Sequence, residues 1–244
     1  MGLEIRFFSF FEALTDPVFF NKNIHPEEIS SLILILPTMI DPTPGYKKIL
    51  NQIARRIDNV VCLEKPIENW PTVTFNRALA AQQAVEHLIH LGHKHIAHLG
   101  FQDDRLTGYR QTLEKHDLPY NEQLVAIPDP SRIYASSYQL TEKFLQVSPR
   151  PTAMFTASDE IAISAIAALH DHGQSIPQDI AIASIDNIEL ASMVRPSLTT
   201  VNVPRRQMAS QALQVLMAGQ KSQKVKNEMI ILPTELIIRE SSGA

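Results

Sequence analysis

Short apolar runs alternate with amphipathic segments along nearly the whole chain, and that alternation restricts the fold more than any other feature. RFFSF, LILIL, VVCLE, TVTF, HIAHL, LVAIP, TAMFTA, IAIASI, LTTVNV and MIILP read as strands. Between them, YKKILNQIARRI, ALAAQQAVEHLIHL, RLTGYRQTLEKH, SSYQLTEKFLQV, EIAISAIAALHDH and RRQMASQALQVLMA repeat apolar residues every three or four positions, the period of a helix with one buried face. Strands separated by helices of this length build βαβ units, so an α/β fold with parallel sheet covered on both faces is expected. The stop signals agree. Gly92 follows HLIHL and Gly173 follows ALHDH, where a left-handed residue ends a helix, and Ser158 stands where it can cap the helix starting near Glu160. Repeats are absent, and the one linker-like stretch is GQKSQKVKN at 219–227.

A chain of 244 residues that is 44% hydrophobic can bury one large core or two smaller ones. Its longest apolar run, LILILP after Ser31, is too short to cross a bilayer, and MGLEIRFFSFFEAL carries acids within its apolar stretch, so neither membrane insertion nor a leader is expected. Cys62 is the single cysteine, which excludes an intrachain disulfide and fits a cytoplasmic setting. With a net charge of −4 and scattered lysines and arginines, no basic footprint for nucleic acid is present. A small molecule or another protein is the expected partner.

EHLIHLGHKHIAHLG, residues 86–100, holds five histidines, which raises the question of a metal site. A zinc site needs three or four ligands converging on one point. In the helix, Ala81, Ala84, Val85, Leu88 and Leu91 form the buried stripe, which turns His90 and His87 towards solvent. In the following strand His95 and His98 point to opposite faces, and His93 lies in the turn. The rings scatter, so no metal and no cofactor is expected. His98 reads as a hydrogen-bonded core histidine.

The same segment resembles the helix–Leu-Gly-His–strand junction in the effector-binding core of lactose- and galactose-repressor-type transcriptional regulators. Further matches follow in the family's order: RLTGY at 105–109, PTAMFTASDEIAISAIAALHDHG at 151–173, IPQDIAIASIDN at 176–187, RPSLTTVNVPRRQMASQAL at 195–213 and LPTELIIRES at 232–241. Together they cover about two-thirds of the chain. The resemblance implies two doubly wound parallel-sheet lobes of the periplasmic binding protein type, with ligand in the cleft. The first lobe would hold 1–75 and 204–224, the second 76–203 and 225–244, with crossovers near TVTFN, TTVNVP and the segment before MIILP. It also implies a sugar-like effector and a homodimer.

Ligands of open parallel sheets sit beyond the carboxyl ends of the strands. Arg105 beyond HIAHLG, Ser158 and Asp159 beyond TAMFTA, and Asp186 beyond IAIASI stand at such positions. A guanidinium fork supplies donors and a carboxylate supplies acceptors, a pairing suited to a polyhydroxylated ligand. The resemblance assigns ligand contacts to the positions of Arg105, Ser158 and Asp186, although the family more often has Asn in place of Ser158. Each has a plainer reading: Arg105 as a solvated first-turn residue, Ser158 as an N-cap, and Asp159 as a structural charge at a helix start. Tyr134, as a ring stacking on a sugar or an ordinary core tyrosine, and Glu64, at a position where the family often has an acid, complete the candidates.

Two departures from the family pattern stand out. No helix-turn-helix signature precedes the core, so operator DNA would be reached only through a headpiece outside this sequence. Between RFFSF and LILIL there is room for one short connection, which leaves the first lobe without the family's first strand and helix. An open slot there would cost roughly 1 to 3 kcal/mol per buried unpaired backbone group, unless RFFSFF or a partner chain fills it. A solute-binding protein of a sugar transporter shares the architecture and is the alternative. An enzyme is disfavoured because G-x-S-x-G, H-E-x-x-H and Gly-rich phosphate loops are missing.

Overall fold

Nine of the strand-like runs and all six helix-like segments form the expected elements in a computed structural model that describes residues 12–35, 44–67, 69–219 and 228–243. The tenth run, RFFSF, and most of GQKSQKVKN lie outside the described residues. The chain divides into two units, the first from Met1–Thr74 and Arg205–Leu232, the second from Phe75–Pro204 and Pro233–Ala244.

In the first unit, α1 (Pro17–Asn23) starts at Pro17, behind an Asp16 side chain that accepts from the Val18 N–H. Strands β1 (Leu32–Ile35), β2 (Val60–Leu63) and β3 (Thr72–Phe75) pair in parallel, and β9 (Met229–Leu232) completes the order β1-β2-β3-β9. Every residue of β2 is buried, as a central strand with both faces covered demands. Ile49, Ile53 and Ile57, from α2 (Pro44–Arg56) and its end, pack with Phe20, Ile24, Val60 and Cys62. Burial pushes the Cys62 thiol up to about 12, which makes it an inert core residue. On α7 (Arg205–Gly219), the Leu216 carbonyl accepts from Asn59 at 2.8 Å, and Asn59 also donates to Ser31 at 2.8 Å. The sequence reading put 225–244 in the second lobe. Hydrogen bonding instead places β9 in the first sheet, so the chain passes to the second unit after Leu232.

The second unit is built on a six-stranded sheet of order β10-β8-β7-β6-β4-β5. β4 (Ile96–Leu99), β5 (Val125–Ala126), β6 (Ala153–Thr156), β7 (Ala181–Asp186) and β8 (Thr199–Asn202) run parallel, and β10 (Glu235–Ile237) is antiparallel to β8. Ala97, Leu99, Met154 and Ile182 pack with residues of α5 (Ile133–Phe144) and α6 (Asp159–Asp171) on one face. The other face meets α3 (Arg77–His90) and α4 (Asp104–Lys115), where the buried Tyr109 hydroxyl donates to the Ile96 carbonyl at 2.8 Å. The expected α/β architecture with parallel sheet covered on both faces is therefore observed. Among the described residues no helix is long and apolar enough to cross a membrane.

Candidate functional site

Because β4, β6, β7 and β8 are parallel, the loops after them share one edge of the second sheet, and four of the residues singled out in the sequence, Arg105, Ser158, Asp159 and Asp186, lie there. After β4, the Asp103 side chain caps α4 by accepting from the Arg105 N–H at 2.9 Å. The same carboxylate takes the Arg105 guanidinium in a fork, with Nε at 3.1 Å from both oxygens and Nη2 at 2.5 Å from Oδ2. Nη1 donates to the Ala157 carbonyl at 2.9 Å, and the guanidinium carbon lies 4.5 Å from the centre of the Phe101 ring. Arg105 is 7% exposed, so the solvated first-turn reading does not apply. Burial pushes the Asp103 carboxyl up, but the Arg105 hydrogen bonds and charge outweigh it and hold the group below the usual carboxylate range. The pair is a neutral unit. Of five guanidinium donors, Nε–H and one N–H on each Nη are spent within the protein.

The close approach of the β4 and β6 loops depends on Gly100, since a Cβ there would meet the Ala157 Cβ at 2.2 Å. Ser158 follows Ala157 and caps α6, its hydroxyl 3.4 Å from the Ile161 nitrogen. Asp159 is fully buried and acts structurally, as its sequence context implied. It accepts from the Ser184 hydroxyl, from Thr200 at 2.6 Å and from the Ile188 N–H at 2.8 Å, tying the ends of β7 and β8 to α6.

Asp186 ends β7 half-buried, with φ 130°, and Asn187 follows at φ 53°. Two consecutive non-glycine residues at positive φ mark a strained turn, a feature that gathers at functional sites. Arg105, Ala157, Ser158, Asp159 and the Asp186 turn thus form a continuous bonded series along the edge. Asp103, the partner of Arg105, and Asn187, the second residue of the strained turn, were not foreseen. Asp103 left a signal, a capping residue two positions before an arginine.

Glu64 and Tyr134 stand elsewhere. Glu64 follows β2 in the first unit at φ 69°, its carbonyl accepting from the Thr74 hydroxyl at 2.7 Å. Tyr134 is on α5, 57% exposed, in a groove it shares with Ala135, Tyr138, Gln139, Glu142 and Ser164 but with no other sequence-predicted residue. It is not a core tyrosine.

The histidines need two corrections. His87 is half-buried, not solvent-facing, because Ser242 reaches its Nε2 at 2.9 Å. His98 is buried as expected, between Tyr109 and Phe155 at 5.3 and 5.4 Å, but neither ring nitrogen makes a hydrogen bond of normal geometry. Burial lowers its pKa to about 3, against the opposing pull of Asp103. His93 is held by Thr152 at 3.0 Å. Among the described residues no group of three His, Cys, Asp or Glu side chains is arranged to hold a metal ion.

An open parallel sheet with polar groups gathered on its carboxyl edge defines a ligand-binding class of α/β protein. The family model described as periplasmic binding protein-like domain matches residues 85–242, and the chain belongs to that family. Catabolite control protein A of Priestia megaterium is 32% identical over 179 residues, 70% of this chain and 53% of the relative. Among solved structures, the complex of the transcriptional regulator CelR with cellobiose is 27% identical with a TM-score of 0.76, covering 88% of this chain and 66% of that one. A LacI-family regulatory protein from Chloroflexus aggregans is 25% identical with a TM-score of 0.80, covering 97% and 85%. The resemblance read from the motifs is borne out by the family model, by the CelR regulator and by the LacI-family regulatory protein. The chain spans about half the length of the curated relatives it matches.

Proposed function

We propose that this chain is the ligand-sensing part of a LacI-type transcriptional regulator and binds a sugar-like small molecule at the carboxyl edge of its second sheet. Arg105 donates, Asp186 accepts and Ser158 adds a hydroxyl; Glu64 is the corresponding contact of the first unit, and Tyr134 is an exposed aromatic surface available for stacking. The observation that carries this reading is the bonded series from Arg105 through Ala157 to the Asp186 turn, which aligns a donor and a strained carboxylate along one edge. Because Asp103 already neutralises Arg105, that guanidinium offers oriented N–H dipoles in a charge-balanced fork, which favours a neutral polyol over an anion. Binding then shifts a conformational equilibrium that DNA-binding partners read. We place the protein in the cytoplasm as a homodimer, as its resemblance to the family implies.

Thermal-shift measurements across neutral sugars, phosphosugars and nucleobases test this directly. A neutral sugar should raise the melting temperature of the native protein and fail to do so in Asp186→Ala. Stabilisation by phosphosugars alone would overturn the ligand class, and an unchanged response in Asp186→Ala would overturn the site.

A further inference from the structure

Asp186 is held in a backbone conformation that its own side chain does not favour, and several of the bonds that fix its turn converge on the next residue. Every polar group of Asn187 apart from its carbonyl is engaged: the N–H donates to the Thr200 hydroxyl at 3.2 Å, Nδ2 donates to the Asn202 Oδ1 at 3.0 Å, and Oδ1 accepts from the Arg239 Nη2 at 2.7 Å. Arg239 is anchored in turn, with Nη1 donating to the Leu198 carbonyl at 2.7 Å and its N–H to the Thr199 hydroxyl at 2.8 Å. Arg239 therefore ties the start of β8, through Leu198 and Thr199, to the Asp186 turn. A lysine, with a single nitrogen, cannot span both acceptors in the same fork geometry.

We infer that Arg239 is a positioning residue for the Asp186 carboxylate, acting through Asn187. The inference rests on the proposed sensing role of Asp186 and adds a residue with no ligand contact of its own. Its place in the chain gives the strut a second property. Asn202 is the last residue of β8, two residues before the chain leaves the second unit, and Arg239 follows β10, the first strand after the chain returns to it. The turn bearing Asp186 is thus bonded both to Asn202, just before the chain leaves the second unit, and to Arg239, in the segment that follows its return.

The test uses the full 244-residue chain, Arg239→Met, Arg239→Lys and Asn187→Gly, with hydrogen exchange by mass spectrometry and calorimetric titration of cellobiose and ribose. In Arg239→Met the Asn187 and Ile188 amides should exchange at least tenfold faster while those of α5 and α6 stay within twofold, with Arg239→Lys intermediate. Asn187→Gly removes the strut but accepts the positive φ without strain, so the α5 and α6 amides should stay within twofold of the wild type while the protein binds whichever sugar the wild type binds at least tenfold more weakly. Unchanged exchange at 187 and 188, acceleration spread evenly over the unit, or full affinity in Asn187→Gly would each overturn the inference. Faster local exchange in a protein whose wild type binds neither sugar would uphold the strut and count against sugar sensing.

Discussion

Arg105 and Asp186 belong to the same sheet edge, yet the chain holds them by opposite means. Arg105 lies in regular helix and is fixed by attraction: a carboxylate fork, a carbonyl and an aromatic face. Asp186 is fixed by constraint, in a backbone conformation that costs on the order of 1–3 kcal/mol, maintained by bonds to the residues after it. The donor half of the edge adds to the stability of the unit, whereas the acceptor half draws on it. Substitution should therefore change stability with opposite sign in the two halves, and that expectation can be broken by measurement.

The largest effect should come from Asp103→Ala. It removes the cap of α4 and strands the Arg105 guanidinium, which is 8% exposed at the side chain, without its counter-ion. Breaking a buried pair costs about 3–5 kcal/mol and losing a cap about 1 kcal/mol; the partial exposure of Asp103 brings the sum to roughly 3 kcal/mol. Urea denaturation should show this loss, with Asp103→Asn, which keeps a capping oxygen, falling between. A cost as small as that of the exposed neighbour Asp104→Ala would mean that the fork contributes little.

Acid should separate the halves next. His98 lies beneath the donor half and interacts electrostatically with Asp103 and Arg105. Its folded pKa of about 3 lies below the ordinary 6.5, so the folded state favours the neutral ring. The stability linked to that ring is complete above pH 6.5 and is lost as pH falls towards 3, by roughly 1.4 kcal/mol per unit at most. Asp103, also depressed, loses its contribution only at lower pH, below the ordinary carboxylate value. Between pH 6.5 and 4.5 the wild type should therefore lose about 2 kcal/mol more than His98→Phe. Parallel stability curves for the two proteins would show that His98 is not the group that titrates.

The fold was legible where burial writes a continuous pattern. The apolar runs of β6 and β7 are buried throughout or nearly so, and the helix faces around them have a regular period. The missed elements were too short for a period: α1 has seven residues and β10 three. On the candidate edge, the residue types at strand ends were readable because parallel strands must deliver their loops to one side. The bonds that give them character were not. The carbonyl that Arg105 meets is 52 residues away, and Arg239 lies 52 residues from Asn187. Strand phase correctly buried His98, but phase says nothing of whether a partner waits for its nitrogens.

The smallest effect, and the one that decides the comparison, is Asp186→Gly. Glycine takes φ 130° without a Cβ clash, so the strain is released; against this stands the larger entropy that glycine gives the unfolded chain, up to about 1 kcal/mol. With the loss of the carboxylate's own contact set against the released strain as well, Asp186→Gly should melt at or above the wild type, by no more than roughly 2–4 °C for a chain of this size. Asp186→Asn separates the two contributions, since it keeps the Cβ and the strained φ while weakening the contact that the carboxylate makes: it should melt below Asp186→Gly. Calorimetry of the three proteins reads both steps. If Asp186→Gly melts lower than Asp186→Asn, the turn is not strained, the acceptor half stabilises the unit as the donor half does, and the opposition between them disappears.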